Sequence, residues 1–191
     1  PAVRLRRSLD LAEELHAGTV VVHPPFHWQR EYARGFAGLL EVLGAAHPHV
    51  RIAVENMFPV RMAGRELVPY TPGWDPTVPG YDAYTLDLSH CSAARTDALA
   101  LADRMGAKLT HVHLGDGTRP GRDEHLVPGR GDQPCGALLS SLAGRGFTGS
   151  VAVEVSTRRA RSRADREADL AEALDFARTH LAAGWVAAAG G

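Results

Sequence analysis

The sequence predicts an α/β protein with a parallel β-sheet, and three observations support this. Short apolar runs alternate along the chain with segments of helical periodicity. Five of these runs end in side chains that can bind a metal: His23, Glu55, Asp87, His113 and Glu154. Successive end residues lie about 26 to 41 positions apart, which suits one strand plus one crossover helix. Such a sheet gathers all five polar ends at one rim, where α/β barrels carry their chemistry.

Five helices are predicted from apolar residues that recur every three or four positions. They span residues 3–17, 30–45, 93–105, 135–144 and 162–182. Each of the first four leads into one of the apolar runs, which we interpret as strands. Gly18 ends the first helix, and Ser162 with Asp165 gives the last one a suitable start.

Two parts of the chain are expected to lack regular structure. His47 and His49 precede the second strand at the rim opposite the polar strand ends, and we expect a solvated loop there. Residues 56–83 contain prolines and glycines that forbid a long helix. The aromatic residues of this segment are Phe58, Tyr70, Trp74 and Tyr81. The segment is either a packed surface loop over the barrel flank or a lid over a substrate.

The number of strands indicates an incomplete barrel. A closed (β/α)8 TIM barrel needs eight strands, whereas this sequence predicts five. We therefore expect residues 1–191 to form a single domain that corresponds to the last five βα units, with about 80–100 residues missing ahead of Pro1. A shortened chain, an unobserved N-terminus or a second chain that completes the sheet would each explain this. A doubly wound open sheet is the alternative, but no Gly-rich phosphate loop follows its first strand.

The composition excludes several classes of function. Of the 191 residues, 45% are hydrophobic and 23% charged, which is ordinary for a globular domain. The net charge of −1 provides no global attraction for nucleic acid or for an anionic membrane, although a local basic stripe would suffice for DNA. Cys91 and Cys135 are too few and too far apart for a disulfide framework, so a reduced, cytoplasmic protein is expected. No apolar run approaches the ~20 residues of a membrane span.

Four of the strand-end residues predict a metal site. The carboxylates of Glu55, Asp87 and Glu154 would repel one another at a shared rim unless a cation lies between them or some are protonated. An imidazole among them, from His113, is typical of Mn²⁺, Co²⁺, Fe²⁺ or Zn²⁺. A single strand-end carboxylate is more often a helix cap or a surface ion pair, so the prediction rests on all four together.

A second set of residues extends this site. It comprises His23, His90, Asp123 and His125. One ion accepts at most about six ligands of these types. Either more than one metal binds, or some of the eight residues contact substrate.

Further residues near the rim carry weaker expectations. Trp28, Trp74 and Arg130 are candidate substrate contacts, although loop arginines such as Arg130, Arg119 and Arg122 are commonly just solvated. His111 faces the same side of its strand as His113 and is expected deeper in the interior. Asp116 either orients a neighbouring histidine or serves as a turn residue.

A resemblance to a known family adds to these predictions. The segments VVVHPP, VENM, LDLSH, HVHLGD, DEHLVPGRG and VEVS resemble the xylose-isomerase-like barrel superfamily. That group includes sugar phosphate isomerases and epimerases and the endonuclease IV family. The resemblance covers nearly the whole chain and implies that Glu55, Asp87, His113 and Glu154 are the shared metal ligands. Segment 56–83 departs from both groups, which leaves the substrate pocket open.

Further roles are implied by each branch of the superfamily. In its ketose epimerases, the residues that match Glu55 and Glu154 also act as acid and base on opposite faces of the substrate, and the match of His90 contacts substrate. In the endonuclease IV family, the second set, His23, His90, Asp123 and His125, matches further ligands of a three-zinc site. One more ligand of that site, a histidine on an earlier strand, would lie in the missing region.

Three functions remain open from the sequence. The first is a divalent-metal-dependent sugar or sugar-phosphate isomerase or epimerase, in which Glu55 and Glu154 exchange a proton next to a carbonyl that the metal polarises. Its partner would be a small carbohydrate, with no membrane and, we expect, no nucleic acid; a homo-oligomer remains open. The second is an endonuclease IV-like zinc phosphodiesterase that acts on DNA, which the neutral charge disfavours. The third is a scaffold without activity.

Overall fold

The computed structural model describes residues 1–62 and 64–189, which form the expected succession of strands and helices. The helices are α1 (Ala2–Glu14), α2 (Arg30–Ala46), α3 (Leu88–Ala94), α4 (Ala98–Met105), α5 (Cys135–Gly144) and α6 (Arg163–Ala189). The strands are β1 (Thr19–Val22), β2 (Arg51–Glu55), β3 (Val60–Met62), β4 (Arg65–Leu67), β5 (Tyr84–Asp87), β6 (Leu109–Leu114) and β7 (Ser150–Val153). In the described part of the chain, no helix is both long and apolar enough to span a bilayer.

The main sheet has five parallel strands in the order β1-β2-β5-β6-β7. This order follows the chain without reversal, as in a barrel, whereas a doubly wound sheet reverses its order at a switch point. The prediction of a partial α/β barrel with five strands is therefore confirmed. All strands run the same way, so their carboxyl ends, including Asp87 beside His113, meet at one rim.

Two apolar clusters hold the helices against the outside of the sheet. One joins β5 and β6 to α3, α4 and α5 around fully buried residues such as Leu86, Leu101 and Leu138. The other joins α1 to β2 and α2 through Leu9, Leu43 and their neighbours. The buried face of each helix thus repeats the periodicity seen in the sequence.

The helix predicted over 93–105 is two helices in the structure. The Asp87 side chain accepts a hydrogen bond from the His90 N–H and so caps α3, which begins directly after β5. Arg95 adopts a left-handed conformation, with φ of 56°, and ends α3. Asp97 then caps α4 by accepting from Leu99 and Ala100. The missed signals were the two capping aspartates, Asp87 and Asp97, each directly before its helix. The division matters because α3 carries His90.

The expectation of a solvated His47 is wrong. His47 is only 7% exposed, and its ring lies 3.2 Å from Glu13 Oε1 and 3.7 Å from Asp10 Oδ1 on α1. The imidazole connects the end of α2 to two acidic residues of α1. The sequence did not predict this contact because the two helices are far apart along the chain and meet only in the folded protein. His49 is exposed, as expected.

Segment 56–83 is structured. It contains the antiparallel hairpin of β3 and β4, and Tyr70 forms an isolated bridge with Phe26. The backbone N–H groups of His27 and Thr71 donate to Pro69 and Pro25 across this bridge. The segment is therefore bonded to the loop after β1, which favours the packed alternative over a freely moving lid.

The helices beside the two edges of the sheet expose apolar side chains. Leu11 on α1, Leu15 directly after it, and Leu170, Leu174 and Trp185 on α6 are between 43% and 68% exposed, and α1 and α6 neighbour the edge strands β1 and β7. Leu170, Leu174 and Trp185 share one face of α6 by helical periodicity. These exposed apolar residues beside the two edge strands are referred to below as the open flank.

Candidate metal centre and its surroundings

Four of the predicted strand-end residues come together at the carboxyl rim. Ligand atoms of Glu55, Asp87, His113 and Glu154 all lie within 4.8 Å of one another. They come from four neighbouring strand ends, so the parallel topology brings together residues that are far apart in sequence. Glu55 and Asp87 are buried, whereas the Glu154 side chain is 46% exposed.

The Nδ1 atom of His113 faces all three carboxylates. It lies 2.8 Å from Glu154 Oε2, 3.0 Å from Glu55 Oε1 and 3.5 Å from Asp87 Oδ2. A single N–H group cannot donate well to three oxygens at once, and carboxylates this close repel one another without a cation. One imidazole nitrogen with three carboxylate oxygens is a donor set that suits a divalent transition metal. The residues present therefore fit such an ion.

The charges of these residues are coupled. Burial opposes a charged His113, but its contacts with Asp87, Glu154 and Glu55 outweigh this and raise the pKa of His113 to about 12. Burial would raise the pKa of Glu55, but hydrogen bonds from His113 and His23 and the charge of nearby imidazoles hold it well below its usual range. Without metal, the group is thus an imidazolium among carboxylates. An ion that binds through His113 Nδ1 must displace a proton.

A second group of potential ligands lies beside the first. His90, Asp123 and His125 place ligand atoms within 4.8 Å of one another. Asp123 Oδ2 lies 2.7 Å from His125 Nε2 and 3.5 Å from His90 Nε2. His90 Nδ1 is also 3.4 Å from Glu55 Oε1, and His23 Nε2 is 3.0 Å from Glu55 Oε2. The structure therefore places the whole second set of predicted residues next to the first.

Charge interactions also shift the pKa values in the group of His90, Asp123 and His125. Burial opposes a charged His90, but the hydrogen bond with Asp123 and the charges of Asp87, Glu55 and Asp123 raise the pKa of His90 to about 9. Burial of Asp123 is outweighed by hydrogen bonds from His125, His90 and Ser89, which keep its pKa well below the usual range.

Ser89 is a site residue that the sequence reasoning missed. It is fully buried on α3, and its hydroxyl donates to Asp123 Oδ1 at 2.6 Å. Ser89 Oγ itself accepts hydrogen bonds from the N–H groups of Glu124 and His125. Ser89 thus fixes the position of the loop that carries Asp123 and His125. Ser89 could have been identified from the sequence, because it lies between the predicted site residues Asp87 and His90.

Aromatic side chains line the rim beside these groups. Phe26 stacks on Trp28 at 4.3 Å and on Tyr70 at 5.2 Å, and Phe58 lies 4.9 Å from His90. Burial raises the pKa of Tyr70, with further contributions from the charges of Glu55 and Asp123. Tyr70 therefore lies within electrostatic reach of both groups, although the sequence singled out Trp28 instead.

The predicted substrate contacts lie in different surroundings. Trp28 is 61% exposed at the outer end of the aromatic stack. The backbone of Trp74 accepts a hydrogen bond from Met57, and no described contact joins its ring to the two ligand groups. Arg130 pairs with Asp169 and Glu172 on α6 and is therefore bound to that helix, which argues against the expected substrate role. Intrachain partners of this kind cannot be read from a loop sequence.

Asp116 organises the loop after β6. It is fully buried and accepts hydrogen bonds from the backbone N–H groups of Gly117, Gly129, Gly131 and Gln133. A Cβ at Gly131 would lie 2.2 Å from its Oδ1, so only glycine fits there. Of the two roles considered for Asp116, the structure supports the turn residue. His111 is partly buried, as is His113, and its Nδ1 is buried without a hydrogen-bond partner among the described residues.

An arginine-rich stretch follows Glu154 at the same rim. Residues 158–166 contain five arginines, all exposed, and four of them form no salt bridge with any described residue. Ser156 anchors the start of this stretch by donating its N–H to the His125 carbonyl at 2.7 Å. The near-zero net charge concealed this local positive patch.

Comparison with sequence families identifies the relatives of this chain. Residues 3–180 match the model of a family described as xylose isomerase-like TIM barrel. An uncharacterized protein of Mycobacterium tuberculosis is 48% identical over 200 residues, which cover 95% of this chain and 71% of the relative. The fructoselysine 3-epimerase of Escherichia coli O157:H7 is 36% identical over 55 residues, which cover 29% of this chain and 20% of that enzyme.

Solved structures share the fold at low sequence identity. A D-tagatose 3-epimerase-like protein superposes with a TM-score of 0.65 at 22% identity, over 93% of this chain and 70% of its own. An IOLI protein with a bound zinc atom superposes with a TM-score of 0.61 at 22% identity, over 96% and 68% of the two chains.

Proposed function

The chain belongs to the xylose isomerase-like TIM barrel family, and we propose that it is a divalent-metal-dependent sugar or sugar-phosphate isomerase or epimerase. The observation that carries this proposal is the position of His113 Nδ1 among three carboxylates. The epimerases among the relatives and structural neighbours support the sugar chemistry. The proposed substrate is a small carbohydrate.

Glu55, Asp87, His113 and Glu154 would hold the ion, which we expect to be Mn²⁺, Co²⁺, Fe²⁺ or Zn²⁺. Bound there, it would polarise a carbonyl and so acidify the neighbouring C–H group.

The two glutamates then supply the proton transfer. Glu55 and Glu154 approach His113 from different strands, on β2 and just after β7, so they can address different faces of a substrate. One carboxylate removes the proton from the carbon next to the carbonyl and becomes protonated. The other, which must start in its protonated form, donates its own proton to that carbon from the opposite face or to the neighbouring carbon, and solvent exchange then resets both groups. His90, buried beside Phe58, would contact a substrate hydroxyl, and Trp28, Tyr70 and Phe58 would exclude water.

The metal content of the full-length protein tests this function. We expect about one equivalent of a divalent transition metal by elemental analysis, and deuterium uptake from D₂O next to the carbonyl of a ketose substrate. Removal of the metal by a chelator should abolish uptake, and adding Mn²⁺ or Co²⁺ back should restore it. A protein that cannot be loaded with any of the four metals would contradict the proposal.

One observation favours a second candidate, an endonuclease IV-like zinc phosphodiesterase. The group of His90, Asp123 and His125 lies close enough to the first for more than one ion. The arginine-rich stretch would suit a phosphate backbone. About three zinc ions per chain, together with cleavage of DNA at abasic sites and no deuterium uptake by ketoses, would establish the nuclease instead.

A further inference from the structure

Asn56 joins two strand ends of the candidate metal centre. It follows Glu55 directly and is fully buried. Its side-chain Oδ1 accepts from the Asp87 N–H at 2.7 Å, and its Nδ2 donates to the Asp87 carbonyl at 3.1 Å. The amide therefore bonds both peptide groups of one proposed metal ligand, and its Nδ2 also donates weakly to Cys91 Sγ at 3.6 Å.

The backbone of Asn56 holds a third residue of the site. Its carbonyl oxygen lies 2.8 Å from His90 Nδ1 and accepts a hydrogen bond when that nitrogen carries the proton. This interaction leaves His90 Nε2 directed at Asp123. The Asp87 carboxylate also accepts from the His90 N–H. Asn56, Asp87 and His90 thus form a closed set of hydrogen bonds at the rim.

The location explains why an amide is needed there. The pairing of β2 with β5 ends at Glu55 and Thr85, after which the Asn56 N–H makes a long, 3.3 Å bond to Thr85. Beyond this point the side chain replaces the missing backbone bonds, and it must offer one donor and one acceptor. A carboxylate of the same shape would place a negative oxygen against the Asp87 carbonyl. A shorter hydroxyl would not reach both groups.

We propose that Asn56 is a positioning residue that fixes Asp87 and His90 in the geometry of the metal centre. This inference rests on the proposed function for its purpose, but its structural content is independent of any metal. Asn56 is in neither of the two groups of potential metal ligands. Its effect passes through Asp87, whose backbone it clamps, and through the orientation of the His90 ring. Second-layer partners of this kind typically contribute 10–100-fold to metal affinity.

Two substitutions at Asn56 test the proposal in the full-length protein. Asn56→Asp keeps the shape and loses the donor, and Asn56→Ser keeps a small polar group if the aspartate variant fails to fold. Cys91→Ala is the matched control, because it removes the acceptor of the weaker 3.6 Å hydrogen bond from Asn56 Nδ2, is equally buried, and leaves both bonds to Asp87 in place. Two quantities are measured: hydrogen exchange of the Asp87 amide in metal-free protein, and the dissociation constant for Co²⁺.

In both Asn56 variants we expect the Asp87 amide to exchange at least about tenfold faster, and Co²⁺ affinity to fall roughly 10–100-fold. Cys91→Ala should leave both quantities within about twofold of the wild type. Unchanged exchange at Asp87 in the Asn56 variants, or unchanged Co²⁺ affinity, overturns the proposal. If the exchange changes as expected but the wild type binds no metal, the clamp is upheld and the proposed function fails instead.

Discussion

At the scale of single residues, His113 is where a proton and the proposed metal would compete for one nitrogen. Its Nδ1 faces three carboxylates, and these raise the pKa of His113 to about 12. At neutral pH the metal-free protein therefore carries an imidazolium where an ion would bind. The repulsion between the carboxylates is relieved either by that proton or by the metal, but not by both through the same nitrogen.

Metal-free protein should consequently lose stability as the pH rises. A histidine with a raised pKa contributes all of its stabilisation below its unfolded value of 6.5, and loses it as the pH rises towards about 12. The lowered pKa of Glu55 acts in the opposite direction, because its contribution disappears as the pH falls below the unfolded value of 4.5. We expect the highest melting temperature between pH 4.5 and pH 6.5, the two unfolded values, and a lower melting temperature at pH 9. The variant His113→Gln should show a shallower decline, and an equal decline would refute the role of His113.

Glu154→Gln should remove proton transfer while preserving the fold. The amide keeps the shape of the side chain but cannot accept a proton, and acid–base groups contribute roughly 10²–10⁴-fold to rate. We expect deuterium exchange into a ketose substrate to fall by at least about a hundredfold. Glu167→Gln is the control, since Glu167 is an exposed carboxylate on α6 that pairs with Arg163. Comparable rates for the two variants would exclude Glu154 as acid or base.

At the scale of elements, the loop from Gly115 to Gln133 depends on two buried anchors. Asp116 holds its backbone with four hydrogen bonds, and Ser89 holds the part that carries Asp123 and His125. A loop fixed in this way can keep two ligands in place without regular secondary structure.

Asp116→Asn should loosen this loop selectively. The amide nitrogen would face backbone N–H groups that now donate to a carboxylate, and hydrogen bonds to charged groups contribute about 1.5–3 kcal/mol each. We expect faster hydrogen exchange in residues 116–133, with little change in β2, and weaker metal binding. The matched control is Asp132→Asn in the same loop, where the carboxylate is exposed and, among the residues that the structure describes, accepts only from Gln133 Nε2. Uniform exchange changes across the sheet would indicate global destabilisation instead.

How much could be foreseen from the sequence depends on what each feature requires. The convergence of Glu55, Asp87, His113 and Glu154 needs only parallel strands, whose order the alternating pattern already implies. The contacts of Asn56 and Ser89 depend instead on where strand pairing stops and on the start of α3, which periodicity does not specify. For the same reason the sequence favoured Trp28 and Arg130 over Tyr70.

At the scale of the whole molecule, the exposed apolar residues of the open flank form a surface that further structure would cover. The chain covers 71% of the length of its Mycobacterium tuberculosis relative, and several of its exposed apolar residues lie on or directly after the two helices beside the edge strands. We propose that residues 1–191 belong to a single barrel that about three further βα units complete ahead of residue 1.

Trp185 can report on this completion. The chain has three tryptophans, so replacing Trp28 and Trp74 by phenylalanine leaves Trp185 as the sole indole. Trp185 is 59% exposed on the open flank. In the full-length protein we expect its fluorescence to shift to the blue and acrylamide quenching to fall severalfold relative to residues 1–191 alone. Equal quenching in both would mean that the added residues pack elsewhere.

The spread of the four ligands over separate strands also bears on folding kinetics. Glu55 and Glu154 are about a hundred residues apart, and the centre assembles only after β2, β5, β6 and β7 have paired in order. Contacts between such distant residues form late, because the chain must first lose the entropy of closing the intervening loops. The rate at which refolding chains bind the proposed metal should therefore report the last stage of sheet assembly. Chains that misfold before that stage would be identified because they bind no metal.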